Sequence, residues 1–383
     1  MKIVLLKGQS QYEVLNTFID DMATALSPLG ETSIVDLIKI DTIALLKKVI
    51  TDDTTAVFSF NGRSHMVSQH LSKDIVYISS YVDHPMYQMD RIKTIAPKQL
   101  SYFVDKAYVN LVEDIMPEIK PKLLPQAGCY NKSEFSIKDK MIDVLFCGSF
   151  ADITKFDESM LKYSPKMKKF IVALAKDIIK KPTTPIQRLA NEISRKQYFL
   201  TTGDNLIGCM ILADRYTRSL KRKNLLEQLL KSGITVHCYG NGWESSGLSK
   251  YDNFISRPAI NYRDIMDVMN KSKIVLCTLP NLHNGVHDRI FSTMQMHAVS
   301  VTDPTTSLKE MFTDMKSIVF YNNTQQGYGE VTDKIKTLLS NDALLEEITM
   351  AGNAIALRDH TWKNRAQIVM KDLEELCNST IQK

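Results

Sequence analysis

Cysteine is scarce in this 383-residue chain and is never paired in sequence. Its six residues, Cys129, Cys147, Cys209, Cys238, Cys277 and Cys377, contain no C-x-x-C. That excludes a disulfide framework and the common cysteine zinc spacings, and it points to a reducing compartment. Cys147, Cys238 and Cys277 fall inside apolar runs, where cysteine acts as a small hydrophobe. No apolar run is long enough to span a bilayer, and the one in MKIVLLKGQSQ is too short for a signal peptide. A cytoplasmic location is therefore expected. His283, His287 and His297 share one stretch, but they lack cysteine partners and the His-Glu-x-x-His spacing, so no metal site is expected. Gly8 to Gln11 lacks the G-x-G-x-x-G spacing of a dinucleotide fingerprint. No G-x-S-x-G elbow accompanies a Ser/His/Asp triad. Aromatic residues do not interleave with the basic runs as they do on single-strand nucleic-acid platforms, so no nucleic-acid partner is expected.

What is present describes a soluble globular chain, 44% hydrophobic and 24% charged, long enough for two domains. The net charge of +5 is mildly basic and favours anionic small molecules or an anionic surface. Strand-like runs at Lys2–Leu6, Thr32–Leu37, Ala56–Phe60 and Ile75–Tyr81 alternate with helical periodicity at Tyr12–Leu26 and Ile43–Ile50. This alternation predicts a parallel sheet wrapped by helices. Two strand ends carry polar turn residues, Asn61-Gly62-Arg63 and Asp83-His84-Pro85. Lys120 to Lys138 reads as a linker, after which Ile142–Cys147 is a strand stopping on Gly148-Ser149, a turn that can bring backbone N–H groups to a phosphate.

From Lys155 to Lys231 the pattern is helical. One helix there has lysines (Lys166, Lys168, Lys169, Lys176, Lys180, Lys181) around an apolar stripe, a pattern shared by a solvated outer face and a helix lying on an anionic membrane. Arg215, Arg218, Lys221, Arg222 and Lys223 form a second basic cluster, suited equally to phosphate contact and to solubility. A strand over Ile234–Tyr239 ends on Gly240-Asn241-Gly242-Trp243. Next come Arg257-Pro258-Ala259 and a short amphipathic helix, Tyr262–Met269. Lys273 to Asp303 then reads as strand, loop, helix and strand, with His287, Asp288 and Arg289 at the helix start and the helix ending near His297. In such a βαβ unit ligands sit at the strand's carboxyl end against the helix N-terminus.

VLFCGS, VHCYGNGW, KIVLCTLPNLHNGVHDRIFSTMQMHAVSVTD and AGNAIALRDHTWKNRAQ, in that order, resemble bacterial group-1 glycosyltransferases, nearest the spore-maturation-protein (CgeB-like) branch. FSFNG and YVDHPMYQ are similar to N-domain pieces of that branch. The resemblance implies an α/β GT-B fold, with two Rossmann-like domains facing across a cleft. It divides the chain into an acceptor domain over 1–125, a nucleotide-sugar domain over 126–360 with a helical insertion at 155–231, and a final helix over 361–383 returning toward the first domain. It implies transfer of a hexose-type sugar from a UDP-, GDP- or dTDP-linked donor to a hydroxyl of a glycan, lipid-linked or protein acceptor; peripheral contact with an anionic membrane on the cytoplasmic side is an expectation from the lysine-rich helix alone.

No Asp-x-Asp occurs in the chain, which fits catalysis without a metal or other cofactor, basic groups and helix dipoles neutralising the leaving diphosphate. By position, the resemblance places Gly148 and Ser149 near the diphosphate, and Gly240, Asn241, Gly242, Trp243, Pro258 and Ala259 near the nucleotide base. His287, Asp288, Arg289 and Ser292 follow on the donor side, Arg289 for the diphosphate. Asn61, Gly62 and Arg63 fall on the acceptor side, with Asp83 or His84 as the base. Two departures stand out: the family's Phe-Glu-Ala reads Phe291-Ser292-Thr293, and the glycine closing that helix is His297. They leave open a degenerate scaffold that binds nucleotide or glycan without turnover, and a nucleotide-sugar epimerase on the same fold is a separate alternative.

Overall fold

The computed structural model describes residues 1–129, 136–196 and 203–381. Its twelve strands are β1 (Lys2–Lys7), β2 (Glu31–Asp36), β3 (Ala56–Phe60), β4 (Val76–Tyr81), β5 (Gln99–Phe103), β6 (Lys122–Leu123), β7 (Ile142–Cys147), β8 (Val236–Tyr239), β9 (Phe254–Arg257), β10 (Ser272–Cys277), β11 (Val299–Thr302) and β12 (Val319–Phe320). They form two six-stranded sheets, ordered β2-β1-β3-β4-β5-β6 and β12-β11-β10-β7-β8-β9, and every pairing within them is parallel. The central strands are apolar without alternation, as in Ile3–Leu6 and Ile274–Cys277, all buried. A parallel sheet covered by helices on both faces requires that pattern.

The two sheets share packing. Phe18, on the helix Val14–Leu26, meets Tyr262 of the second half edge-on at 5.4 Å and Trp362 at 5.2 Å. The closing helix Trp362–Ile381 lies against Val14–Leu26, and Asp372 accepts a 2.7 Å hydrogen bond from the Tyr102 hydroxyl.

The described part of Lys120–Lys138 is more structured than a linker. Lys122–Leu123 extends the first sheet, and buried Arg365 donates to the carbonyls of Pro125 (2.8 Å) and Gln126 (2.9 Å). Gly128 N–H donates to the His360 carbonyl at 2.9 Å, and residues 130–135 lie outside the described set. Over 155–231 the chain forms helices Pro165–Lys180, Ile186–Lys196 and Gly203–Lys231, with 197–202 likewise outside. The lysine-rich helix buries Phe170, Ile171, Leu174 and Ile178 and starts on a Ser164 cap followed by Pro165, the order a helix N-terminus favours.

Candidate active site

Strand order reverses between β1 and β3 in the first sheet and between β7 and β10 in the second. In open α/β sheets the crevice beyond the strands' carboxyl ends at such a reversal is where ligands bind. Here both reversals open on one cleft of about 660 Å³. Gln9 to Tyr12 follow β1, Asn61 follows β3, Asp83 follows β4 and Thr278 follows β10, and all of them line it.

One wall is cationic. Arg215, Arg218 and Arg222 project into the cleft from Gly203–Lys231, and Arg289 from the first turn of the helix Asp288–Gln295. Spacings of three and four residues put the first three on one helix face. Arg218 is neutralised by buried Asp214, with contacts of 2.6 and 3.0 Å, and Asp214 also accepts from the Tyr87 hydroxyl at 2.6 Å. Arg222 has only neutral acceptors, the Ser149 carbonyl and the Thr278 hydroxyl. Burial, with Arg218 and Arg289 beside it, pushes its guanidinium down to about 10. Among the described residues no carboxylate forms an ion pair with Arg222 or Arg289. A half-buried cluster of guanidiniums with excess positive charge suits an anion, because charge-assisted bonds to phosphate would offset the desolvation already incurred.

Arg289 is held by its neighbours. His287 caps the helix, its Nδ1 accepting from the Arg289 N–H at 3.2 Å while lying 2.8 Å from an Asp288 oxygen. Burial alone would raise the Asp288 carboxyl, but His287, Arg289 and the Tyr262 hydroxyl hold it below the ordinary carboxylate range. Asp288 N–H donates to Gln126 at 2.6 Å, tying the helix start to the strap from the first half.

The opposite wall carries the carboxylate. Exposed Asp83 accepts from Asn61 Nδ2 at 2.8 Å and from Gln88 Nε2 at 3.2 Å. Asn61 has a left-handed backbone (φ 53°), and its carbonyl accepts from Arg91 at 3.0 Å. Gly62 is required beside it: φ is 81°, and a β-carbon there would lie 2.7 Å from that of Arg91. Arg63 donates to the Gln9 carbonyl. Tyr12 and Glu13, both left-handed, shape the β1 loop, and the Tyr12 hydroxyl accepts from Asn241 Nδ2 at 3.0 Å.

Of the residues singled out from sequence, Asn61, Arg63, Asp83, His84, His287, Asp288 and Arg289 converge on this cleft. Arg215, Arg218 and Arg222 of the basic cluster line it too; the remaining residues placed by the resemblance do not, and several have different work. His84 is buried, its Nδ1 accepting from Met86 N–H at 3.1 Å, so Nε2 carries the proton and faces Gln187. Burial pushes its pKa down to about 4, which leaves it a weak base. Gly148 N–H donates to the Tyr239 carbonyl and Ser149 Oγ accepts from Asn241 N–H, while the Ser149 carbonyl accepts from Arg222, so the turn helps hold the cationic wall. Trp243 is fully buried, donating to the Gly148 carbonyl at 2.8 Å, and belongs to the core instead of a base platform. Gly240 lets the β7 and β8 ends touch, since a β-carbon there would lie 2.9 Å from Ser149 N. Asn241 Oδ1 accepts from Ala259 N–H at 3.0 Å, tying the exposed Pro258-Ala259 turn to the Gly240–Gly242 loop. Ser292 is sealed, its hydroxyl accepting from Cys129 N–H at 3.0 Å. His297 adopts φ 54° and closes its helix with N–H bonds from His297 to Met294 and from Ala298 to Thr293, the paired pattern that usually demands glycine. Sequence reasoning missed Arg91, Tyr12, Gln126 and Tyr262, and left the arginine face of Gly203–Lys231 undecided.

Residues 218–371 match the family described as glycosyl transferase-like, a span that includes Arg218, Arg222, Tyr262 and Arg289. No curated protein matches the sequence. Solved structures that resemble the chain include sucrose-phosphate synthase from Thermosynechococcus elongatus (9% identity, 99% of each chain, TM-score 0.59). An alpha-glucosyltransferase in complex with UDP-glucose and DNA containing an abasic site is similar at 10% identity, over 98% of this chain and 99% of that one, TM-score 0.58. AviGT4, a glycosyltransferase involved in avilamycin A biosynthesis, is similar at 10% identity over 99% and 98%, TM-score 0.56. The chain therefore has the GT-B fold, with a glycosyl transferase-like sequence over its C-terminal half.

Proposed function

We propose that this protein is a glycosyltransferase of the branch its motifs resemble, moving a hexose-type sugar from a nucleoside diphosphate to an acceptor hydroxyl without a metal. One observation carries the reading: Arg222 and Arg289, neither in direct ion-pair contact with a carboxylate among the described residues, line one cleft at the carboxyl ends of two parallel sheets, large enough for a nucleotide sugar. Similar folds bind UDP-glucose, and a UDP-, GDP- or dTDP-linked donor meets the same requirement for a diphosphate. Arg222, Arg289 and the positive end of the Asp288–Gln295 helix would stabilise the charge that builds on the leaving diphosphate. The sugar's C1–O bond to phosphate breaks with its electron pair going to the diphosphate, and a new C1–O bond forms to the acceptor. Asp83 would take the acceptor's proton, and His84 would position the loop that presents it. The lysine face of Pro165–Lys180 would allow peripheral contact with an anionic membrane.

The test is release of nucleoside diphosphate from a panel of nucleotide sugars in chelator. Slow hydrolysis of one donor, lost in Arg289→Ala and reduced in Asp83→Asn, is expected. Interconversion of the sugar nucleotide without release would show an epimerase instead, and tight binding without either reaction would show a scaffold.

A further inference from the structure

Arg63 and Arg91 face two cavities. On one side is the cleft with Asp83. On the other is a groove of about 260 Å³ that they share with Leu37, Ile38, Met66 and Val67. Ile38 is 67% and Met66 49% exposed, large apolar side chains that make no core contact and cost free energy in water. Both arginines hydrogen-bond only to backbone carbonyls, those of Gln9 and Asn61, and among the described residues neither has a carboxylate partner. Burial and the nearby Arg91 disfavour the charge on Arg63. The order along this wall is fixed by hydrogen bonds. Asn61 holds Asp83 through its side chain and Arg91 through its carbonyl, and past the arginines the wall turns apolar.

A carboxylate, then a pair of guanidiniums, then an apolar trough match a molecule with a hydroxyl-bearing head, an anionic group and a hydrocarbon chain. Glycans have no hydrocarbon chain to place against Ile38 and Met66, and free phosphate would leave that trough wet. We propose that the groove between Leu37–Ile38 and Met66–Val67 is the acceptor subsite, and that the acceptor is a lipid phosphate whose anion lies between Arg63 and Arg91. The acceptor role rests on the glycosyltransferase reading, whereas the binding site does not.

The probe is a series of n-alkyl phosphates, hexyl to decyl, kept below their micelle-forming concentrations and titrated by calorimetry with saturating UDP present. Each methylene that enters the groove should tighten binding about fourfold. Ile38→Asp and Met66→Asp are surface changes that should flatten this dependence and leave UDP affinity unchanged. Arg63→Gln should weaken every member about tenfold or more, and decanol and inorganic phosphate should each bind at least about 100-fold more weakly than decyl phosphate. Binding independent of chain length, or unchanged in Ile38→Asp and Met66→Asp, overturns the site. If the series behaves as expected but no nucleoside diphosphate binds, the lipid-phosphate site stands and its acceptor role falls. If UDP binds and the series shows no chain-length dependence, this inference alone is wrong.

Discussion

Replacing Arg222 with methionine separates ligand binding from stability. The side chain is largely withdrawn from water between Arg218 and Arg289, and its guanidinium is pushed down to about 10 from an ordinary 12.5. That corresponds to about 3 kcal/mol of lost preference for the charged form. The side chain borders an open cleft, and halving the figure for solvent screening leaves about 1–2 kcal/mol of stress at neutral pH. The sign follows from proton linkage: below pH 10 both folded and unfolded chains hold the proton, so the cost is present in full and is relieved only as pH rises past about 10. Methionine removes the stress and also removes the hydrogen bonds to the Ser149 carbonyl and Thr278 hydroxyl, worth about 1 kcal/mol each. The two effects nearly cancel, so the melting temperature without ligand should stay within about 2 °C of wild type. Nucleoside diphosphate affinity should fall about 10- to 100-fold, the loss expected for charged hydrogen bonds to phosphate. Calorimetric titration with UDP, paired with thermal unfolding, reads both quantities. A drop of about 10 °C with unchanged UDP affinity would refute the reasoning and make Arg222 a structural strut.

His297→Gly should raise stability by about 0.5–1 kcal/mol, read as a higher urea midpoint, because glycine adopts φ near +54° without penalty. Gly240→Ala should cost about 1–3 kcal/mol by forcing the β7 and β8 ends apart, and the melting temperature should fall accordingly. His65, His84 and His360 are each pushed down to about 4 by burial. The unfolded chain therefore takes up more protons between pH 6.5 and 4, so stability is full above about pH 6.5 and is lost as pH falls. His283 is pushed to the same value, so, allowing for partial screening, the loss by pH 5 over the four should reach about 4 kcal/mol in total, and a melting temperature independent of pH over that range would rule it out. Asp83→Asn should preserve UDP affinity and lower turnover, whereas His84→Ala should lower the melting temperature first, because it removes the Met86 cap and a ring packed 4.8 Å from Tyr108.

The alternation of apolar strands and amphipathic helices made the two sheets legible in advance, down to the strand ends that carry Asn61 and Asp83. The strand Gln99–Phe103 escaped because Ser101 and Tyr102 interrupt its apolar run, although both are buried. Arg289 was legible because a cation in the first turn of a helix after a parallel strand has few structural uses. The arginine face of Gly203–Lys231 was ambiguous because spacing identifies a face but not the direction in which it points. Trp243 and Ser292 were misplaced for a common reason: each polar atom is satisfied by a partner distant in sequence, Gly148 and Cys129 respectively. No local pattern reveals such a partner. His297 was read as a lost glycine, and the backbone shows that the left-handed turn survives without it.

The two switch-point crevices open on one cleft at Arg289 and Arg222, and the proposed function makes it a diphosphate site. Its most direct measurement is the calorimetric Kd for UDP, GDP and dTDP in chelator, for wild type and Arg289→Ala. At least one nucleoside diphosphate should bind the wild type, with a loss of about 30-fold or more in the variant. Failure of all three to bind, or equal affinity in Arg289→Ala, would contradict it.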